Sequence, residues 1–186
     1  MQFQDRLQGD RIILVRTIPG EQIAEELFEL IDANRRYLEP WLMWVSMTKK
    51  VSDTAQYLKM KEQEFQNGTK IEYGIYKNSI LIGSIALVDI DNNNLSAEIG
   101  YWLSKDFSGQ GYVSESVKVL EEYAFKTLKL NRLQIKCDSL NIASSRVAKN
   151  NQYIWEGTLK KDVFNKFDNT FRDTLIYSKL SSEYTK

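Results

Sequence analysis

The chain has 186 residues, of which 42% are hydrophobic and 27% charged, and its 25 basic and 25 acidic residues give a net charge of zero. Because it contains no histidine and one cysteine, the composition excludes a Ser-His-Asp triad, a histidine-activated cysteine, a histidine-ligated zinc site and an intrachain disulfide. With no membrane-length apolar run and no secretory signal at its start, the expected setting is the reducing cytoplasm.

The charge is unevenly distributed along the chain. Residues 1–125 carry a balance of −6 and residues 126–186 a balance of +6. This asymmetry fits either ordinary solvated faces or a bipolar molecule with a basic part for a polyanionic cofactor and an acidic part for a cationic substrate. The basic residues are too few and too scattered to indicate a nucleic-acid partner.

The first third of the chain predicts one strand and two helices. Asp10 to Thr17 has the apolar content of a strand, and Glu21 to Asn34 has apolar residues at helical spacing. A second helix is predicted to begin with Ser52 as its N-cap and to end before Asn67-Gly68. The aromatic segment from Pro40 to Val45 is an irregular link between the two helices.

From Thr69 onward strands dominate, because the apolar period changes to two. A three-stranded meander is followed by a loop that contains Gly109 and Gly111 and by a long amphipathic helix. A strand, a short helix capped by Asn141 and a hairpin turning at Asp168-Asn169 complete the chain. The predicted ranges are strands Ile71–Lys77, Ile80–Asp89 and Ser96–Leu103, helix Val113–Leu128, strand Leu133–Cys137, helix Ala143–Asn150, and strands Ile154–Phe164 and Thr170–Ser178.

This element order predicts an α/β (α+β) fold with a mixed, mostly antiparallel sheet and helices on both faces. The strand, crossover helix and strand between Ala97 and Cys137 imply one parallel pair within that sheet. We find no repeat or linker, so residues 1–186 are expected to form one domain. Cys137 alternates with Leu133 and Ile135, which indicates a buried structural thiol.

The loop Ser108-Gly109-Gln110-Gly111 is the most informative segment. It lies between a predicted strand and the start of a helix, where free backbone N–H groups and the helix dipole favour an anion such as phosphate or pyrophosphate. A plain strand-to-helix turn is the alternative. No Gly-Lys-Ser/Thr follows, which excludes a P-loop, and Ser114 stands where a dinucleotide fingerprint has its third glycine.

Several motifs together resemble the Gcn5-related N-acetyltransferase (GNAT) superfamily, and within it the RimJ/RimL-like branch that acetylates ribosomal-protein N-termini. The resemblance is collinear from about Asp10 to Leu180. Its carriers are Ala97–Leu103, Gly109-Gln110-Gly111, Leu130–Leu133, Asn141–Ala148, Trp155-Glu156-Gly157 and Asp173. The superfamily splays its parallel strand pair and places the pantetheine arm of acetyl-CoA in the gap.

The resemblance implies a set of cofactor-binding residues. Backbone groups at the end of one splayed strand would pair with pantetheine, amides of the glycine loop would hold the diphosphate, and side chains of the short helix would reach the remaining groups. In that order, the residues implied are Trp102, Leu103 and Ser104; Ser108, Gly109, Gly111, Tyr112, Val113 and Ser114; and Asn141, Arg146 and Lys149.

The chain departs from the family pattern at several positions. Ser108 stands where the family has Gln or Arg, Val113 where it has Gly or Ala, and Gln152-Tyr153 where many relatives have Gly-Phe. A glutamate that serves as general base in some relatives has no match at Val163, although Asp162 adjoins it. We expect the backbone amides to preserve cofactor binding.

The catalytic candidates are Glu98 and Ser144. Glu98 is expected to act as a general base, directly or through water, or to be a structural carboxylate paired across the sheet. Ser144 would lie near the thioester sulfur and donate to the leaving thiolate, or only stabilise the first turn of its helix. Tyr153 is an alternative acid that we expect to pack in the core. Trp41 and Trp44 either flank the substrate mouth or belong to the core.

The predicted function is direct transfer of acetyl from acetyl-CoA to a primary amine, the favoured acceptor being the α-amino group of a protein N-terminus, such as that of a ribosomal protein. Two alternatives stay open at this point. One is acetylation of a small amine such as a polyamine, amino acid or aminoglycoside-type compound, and the other is a non-catalytic CoA-binding module. We expect neither a metal, a nucleic acid nor a membrane as partner, and exposed tryptophans would suit a homo-oligomer.

Overall fold

A computed structural model describes residues 3–184 of the chain and shows an eight-stranded sheet with the strand order β1-β2-β3-β4-β5-β6-β8-β7. The strands are β1 (Arg6–Gln8), β2 (Ile13–Arg16), β3 (Ile71–Lys77), β4 (Ile80–Asp91), β5 (Ser96–Leu103), β6 (Arg132–Asp138), β7 (Ile154–Asn165) and β8 (Thr170–Leu180).

Five α-helices connect these strands: α1 (Glu21–Ala33), α2 (Arg35–Leu38), α3 (Val51–Gln66), α4 (Tyr112–Lys126) and α5 (Ile142–Asn150). Short 3-10 turns occupy Met43–Met47, Lys105–Phe107 and Ser181–Glu183. Within the described part of the chain, no helix is long and apolar enough to cross a bilayer.

The parallel pair β5–β6 is the feature of the sheet that forms the site. All other neighbouring strands are antiparallel, which confirms the predicted fold class. Parallel pairing covers only three residue pairs and ends at Glu98 opposite Gln134. Beyond that point β5 stays paired with β4 as far as Leu103, and β6 stays paired with β8 as far as Asp138, so the two strands diverge and the sheet opens.

The two faces of the sheet are covered by different helices, because side chains alternate along each strand. The odd-numbered residues of β5 and β6 pack against α4 and α5 in the main core. On the opposite face, α1 and α3 cover the first half of the sheet, with Trp102 of β5 against α1. That face of β6 carries the partly exposed polar residues Arg132, Gln134, Lys136 and Asp138.

Most predicted elements are confirmed, with ends shifted by one to three residues. The segments β1 and α2 were not predicted, since each has only three or four residues. The predicted N-cap Ser52 is wrong: α3 begins at Val51, and the Asp53 carboxylate accepts the backbone N–H groups of Lys49 and Lys50 at 2.9 and 3.1 Å. Asp53 is the third residue of the helix and binds N–H groups that precede it, so the helix starts before Ser52.

Candidate active site

The opening between β5 and β6 exposes backbone groups at the end of β5. The N–H of Ser104 donates to the carbonyl of Ile82 on β4 at 2.8 Å, so Ser104 faces β4. The N–H and C=O groups of successive residues in a strand point to opposite sides. Those of Trp102, which pairs with Ser84, therefore also point to β4, and the N–H of Leu103 points into the opening. Of the three predicted pantetheine contacts, Leu103 therefore has the free amide.

The loop before α4 has the geometry of an anion cradle. Gly109 and Gly111 both adopt left-handed backbone conformations, with φ of 75° and 83°, which residues with a side chain rarely adopt. The N–H of Glu115 makes the first helical bond, to the carbonyl of Gly111 at 3.0 Å. The amides from Tyr112 to Ser114, Val113 included, therefore have no acceptor within the helix and, with the helix dipole, favour an anion.

Ser108, the first residue of the predicted loop, is already hydrogen-bonded within the protein. Its N–H donates to the carbonyl of Lys105 at 3.0 Å, and its hydroxyl lies 3.1 Å from the hydroxyl of Tyr37. The cradle is thus formed by Gly109, Gly111 and the first amides of α4, while Ser108 fixes the loop to the segment after α1.

A cation that the sequence did not single out lies beside this loop. The Nε and backbone N–H of Arg11 both donate to the Glu115 carboxylate at 2.7 Å, and its Nη1 donates to the carbonyl of Gln110 at 3.1 Å. Its guanidinium carbon lies 4.7 Å from the centre of the Tyr112 ring. No sequence signal could have found this contact, because about a hundred residues separate Arg11 from the loop.

On the face of the sheet covered by α1 and α3, Glu98 lies at the point where β5 and β6 separate. Its carboxylate pairs with the ammonium of Lys136 on β6 at 2.9 Å. The hydrogen bond to Glu98 raises the pKa of Lys136, and the carboxylates of Asp89 and Asp162 add smaller effects in the same direction. The predicted cross-sheet pair therefore exists, and it places Glu98 at the edge of the opening.

On the opposite face, Ser144 of α5 lies across the opening from β5. The hydroxyl of Tyr101 lies 2.9 Å from the Ser144 hydroxyl and donates to the Ser144 carbonyl at 3.2 Å. Burial raises the pKa of Tyr101. Cys137 lies beside Ser144 and is buried as predicted, and burial also raises the pKa of its thiol. Strand alternation thus places Glu98 and Ser144 on opposite faces of the same gap.

The other predicted residues of α5 have distinct positions. The Asn141 side chain caps the helix by accepting the N–H of Ser144 at 3.1 Å, which confirms the predicted cap. Arg146 and Lys149, three residues apart, are exposed along one side of the helix. Tyr153 lies in the core, as expected, and burial raises its pKa.

The segment after α1 borders the same opening. The side-chain Oδ1 of Asn34 accepts the Lys105 N–H at 2.8 Å and the Ser104 hydroxyl at 3.2 Å, which ties this segment to the end of β5. Trp44 packs edge-on against Trp102, with ring centres 6.1 Å apart, and therefore belongs to a core cluster. Trp41 is 38% exposed.

The β7–β8 hairpin reaches this segment from the other side. The Asn165 amide donates to the carbonyl of Pro40 at 2.9 Å, across 125 positions of sequence. The hydrogen bond joins the hairpin to the tryptophan-containing link.

Comparison with known proteins identifies the family. Residues 11–153 match the family described as acetyltransferase (GNAT) domain. The chain is 31% identical to the ribosomal-protein-serine acetyltransferase of Escherichia coli (strain K12) over 161 residues, which cover 87% of this chain and 89% of that protein.

Solved structures agree with this relationship. The structure of RimL, a ribosomal L7/L12 alpha-N-protein acetyltransferase in complex with coenzyme A, has a TM-score of 0.87 and 26% identity, covering 94% of this chain and 97% of its own. The microcin C7 self-immunity acetyltransferase MccE, in complex with acetyl-CoA and AMP, has a TM-score of 0.84 and 29% identity, covering 92% and 93%.

Proposed function

This chain belongs to the GNAT acetyltransferase family, and we propose that it acetylates the α-amino group of a protein N-terminus, most specifically that of a ribosomal protein. The family, the enzyme class and acetyl-CoA as acetyl donor, all predicted from the sequence, are confirmed. The acceptor is proposed because the E. coli relative acts on a ribosomal protein, as its name states.

One observation carries the proposal for the reaction: the gap in the sheet has a carboxylate on one face and a hydroxyl on the other. Glu98 lies where β5 and β6 separate, and Ser144 lies across the gap with Tyr101. Direct transfer needs a base on the side where the amine approaches and a proton donor on the side where the thiol leaves. The two faces of this gap provide those groups separately.

The residues around the gap fit acetyl-CoA, which supplies the activated acetyl thioester. The left-handed glycines and the free amides at the start of α4 suit the diphosphate, with Gly109, Gly111, Tyr112, Val113 and Ser114 in contact with it. The backbone of Leu103 would pair with the pantetheine arm, and a strand N–H near Leu103 would bind the oxygen on which charge develops. Arg146 and Lys149 are exposed on the side of α5 from which they would reach other phosphates.

In the proposed mechanism, Glu98 accepts the proton of the acceptor amine, directly or through a water molecule. Lys136 orients the Glu98 carboxylate through their 2.9 Å ion pair. Ser144 donates a proton to the departing sulfur, and the Tyr101 hydroxyl orients Ser144. After the thiol leaves, Ser144 takes a proton from solvent water and Glu98 releases to solvent the proton that it took from the amine. No covalent enzyme intermediate is required, which agrees with the absence of histidine from the chain.

A small-molecule acceptor is the second candidate, supported by the similarity to the microcin self-immunity enzyme. Trp41, which is 38% exposed, would contact either kind of acceptor. We retain the predictions of a single domain over residues 1–186, a cytoplasmic location and self-association as parts of the proposal.

The test is acetyl-CoA turnover with a panel of ribosomal-protein N-terminal peptides, matched against free polyamines, amino acids and aminoglycosides. The proposal expects kcat/KM for at least one peptide to exceed that for every free amine, and expects acetylation at the α-amino group by mass spectrometry. Preference for a free amine would overturn the acceptor assignment, and acetyl-CoA binding without any turnover would favour a non-catalytic module.

Glu98→Gln tests the proposed base. We expect kcat to fall by about a hundredfold or more, since a positioned base typically contributes that much, while acetyl-CoA affinity stays unchanged. An unchanged kcat would exclude Glu98 as the base, and Asp162 would then be the next carboxylate to replace.

A further inference from the structure

The diphosphate cradle lacks a long polar or charged side chain at the position where the family has Gln or Arg. Ser108 stands there. Its hydroxyl lies 3.1 Å from the Tyr37 hydroxyl, and its N–H donates to the backbone carbonyl of Lys105. The loop itself therefore offers a diphosphate backbone amides and a helix dipole, but no charged side chain.

Arg11 brings a guanidinium to this loop from the segment between β1 and β2. Its Nη2 lies 3.4 Å from the position that a β-carbon on Gly111 would take. The other guanidinium nitrogens are held by Glu115 and by the Gln110 carbonyl. The side chain is 51% exposed, so the cation lies over the loop and also meets solvent.

The charges around Arg11 show why a cation is needed there. Glu115 is an acidic residue in the first turn of α4, where its charge would repel a bound diphosphate. Arg11 neutralises Glu115 through two hydrogen bonds of 2.7 Å. Lys77 adds a second cation, with its ammonium 4.9 Å from the centre of the Tyr112 ring.

We propose that Arg11 binds the diphosphate of CoA and supplies the charged side chain that Ser108 does not. Guanidinium groups suit phosphate oxygens because their N–H groups form a planar fork, and Nη2 is the nitrogen that faces the loop. The inference rests on the proposed placing of the diphosphate at Gly109–Gly111.

A purely structural role would give Arg11 a different signature. In that role Arg11 anchors the segment before β2 to α4 through Glu115, and loss of either partner should have the same effect. In the ligand-binding role, Glu115→Gln removes a competing anion, so binding should stay equal or become tighter, whereas Arg11→Ala should weaken it.

The experiment measures the affinities of CoA and of dephospho-CoA, which lacks the 3′-phosphate but keeps the diphosphate, by calorimetric titration. The proteins are the unaltered chain, Arg11→Ala, Glu115→Gln and Arg6→Ala. Arg6 is the matched control, an exposed arginine on β1 that removes the same charge away from the loop. Turnover with S-acetylpantetheine, which lacks the diphosphate, tests the rest of the site.

We expect Arg11→Ala to weaken CoA and dephospho-CoA equally, by about ten- to a hundredfold, as for the loss of a charge-assisted hydrogen bond. Arg6→Ala and Glu115→Gln should not weaken either ligand, and kcat/KM for S-acetylpantetheine should not change with Arg11→Ala. Unchanged binding in Arg11→Ala, a loss confined to CoA, or the same loss in Glu115→Gln would each overturn the proposal.

The inference can fail separately from the proposed function. If the unaltered chain binds neither CoA nor dephospho-CoA, the placing of the diphosphate fails together with the inference. If the unaltered chain binds both ligands and Arg11→Ala binds them with the same affinity, only the role of Arg11 is overturned.

Discussion

The ammonium of Lys179 on β8 lies 2.7 Å from a carboxylate oxygen of Glu121 on α4, and both side chains are more than nine-tenths buried. The same ammonium donates to the carbonyl of Asn151 at 3.1 Å. Burial raises the pKa of Glu121, and the hydrogen bond and charge of Lys179 act in the opposite direction. The pair joins α4, whose start forms the proposed diphosphate cradle, to the strand beside β6.

Lys179→Met should destabilise the fold by about 3–5 kcal/mol, because it leaves Glu121 as an unpaired buried charge. The double variant Lys179→Met/Glu121→Leu should recover most of that loss, since a buried apolar pair of similar size is often as stable as an ion pair. Urea unfolding of the two variants checks this. A double variant no more stable than the single one would contradict it.

Gly83→Ala on β4 should displace the neighbouring end of β5 and so damage the proposed acetyl-CoA site. A β-carbon at Gly83 would lie 2.3 Å from the Trp102 carbonyl oxygen and 2.9 Å from the Leu103 Cα, so β4 and β5 cannot keep their present spacing. We expect a loss of about 1–3 kcal/mol in stability and weaker acetyl-CoA binding by calorimetry. Gly157→Ala is the control, because its β-carbon meets no atom within 4 Å; equal effects of the two substitutions would exclude this explanation.

Gln152→Gly should stabilise the protein. Gln152 has a φ of 63°, in the left-handed region where a β-carbon costs about 1–2 kcal/mol, and many relatives have glycine at this position. After the greater chain entropy of glycine is subtracted, a gain of about 0.5–1 kcal/mol remains. Thermal unfolding measures it, with Gln152→Ala as the control that keeps the strain. A gain in the alanine variant would show that relief of backbone strain is not the cause.

Ser144→Ala should lower kcat by about a hundredfold, in the range for a lost proton donor, without changing acetyl-CoA affinity. Tyr101→Phe should lower kcat by less, because its hydroxyl acts on Ser144 from 2.9 Å and not on the substrate. In the double variant the two losses should not add, since Tyr101 has no Ser144 hydroxyl left to orient. Fully additive losses would show that the two hydroxyls act independently.

Glu156 should titrate well below an ordinary glutamate. Its hydrogen bonds to the Arg132 guanidinium, one of 2.8 Å, lower its pKa from 4.5 to about 2. A carboxyl whose pKa is lowered on folding contributes stability above its unfolded pKa, and that contribution is lost as the pH falls from about 4.5 towards 2. Carbon-13 NMR titration should give this pKa, and Arg132→Gln should raise it towards 4.5. A Glu156 pKa near 4.5 in the unaltered protein would exclude the ion pair in solution.

Local sequence was enough to predict the elements whose apolar residues recur with a clear period. Ile71–Lys77 and Ser96–Leu103 match their predicted bounds, because alternating apolar residues leave only one way to face a core. The Asn141 cap was also predictable, since it needs only a side chain and an N–H three positions away. The Ser52 cap failed because the Asp53 carboxylate binds the N–H groups of Lys49 and Lys50 and fixes the start of the helix before Ser52.

The sequence by itself determined the family, the order of the longer helices and strands, and the glycine loop, because these depend on residues that are close along the chain. Only the tertiary structure decided the partners of those motifs: Lys136 for Glu98, Tyr101 for Ser144, and Arg11 for the loop. Each of these contacts joins segments that lie far apart in sequence. Their meeting depends on how strands and helices pack, and on where β5 and β6 separate, which no local pattern of residues specifies.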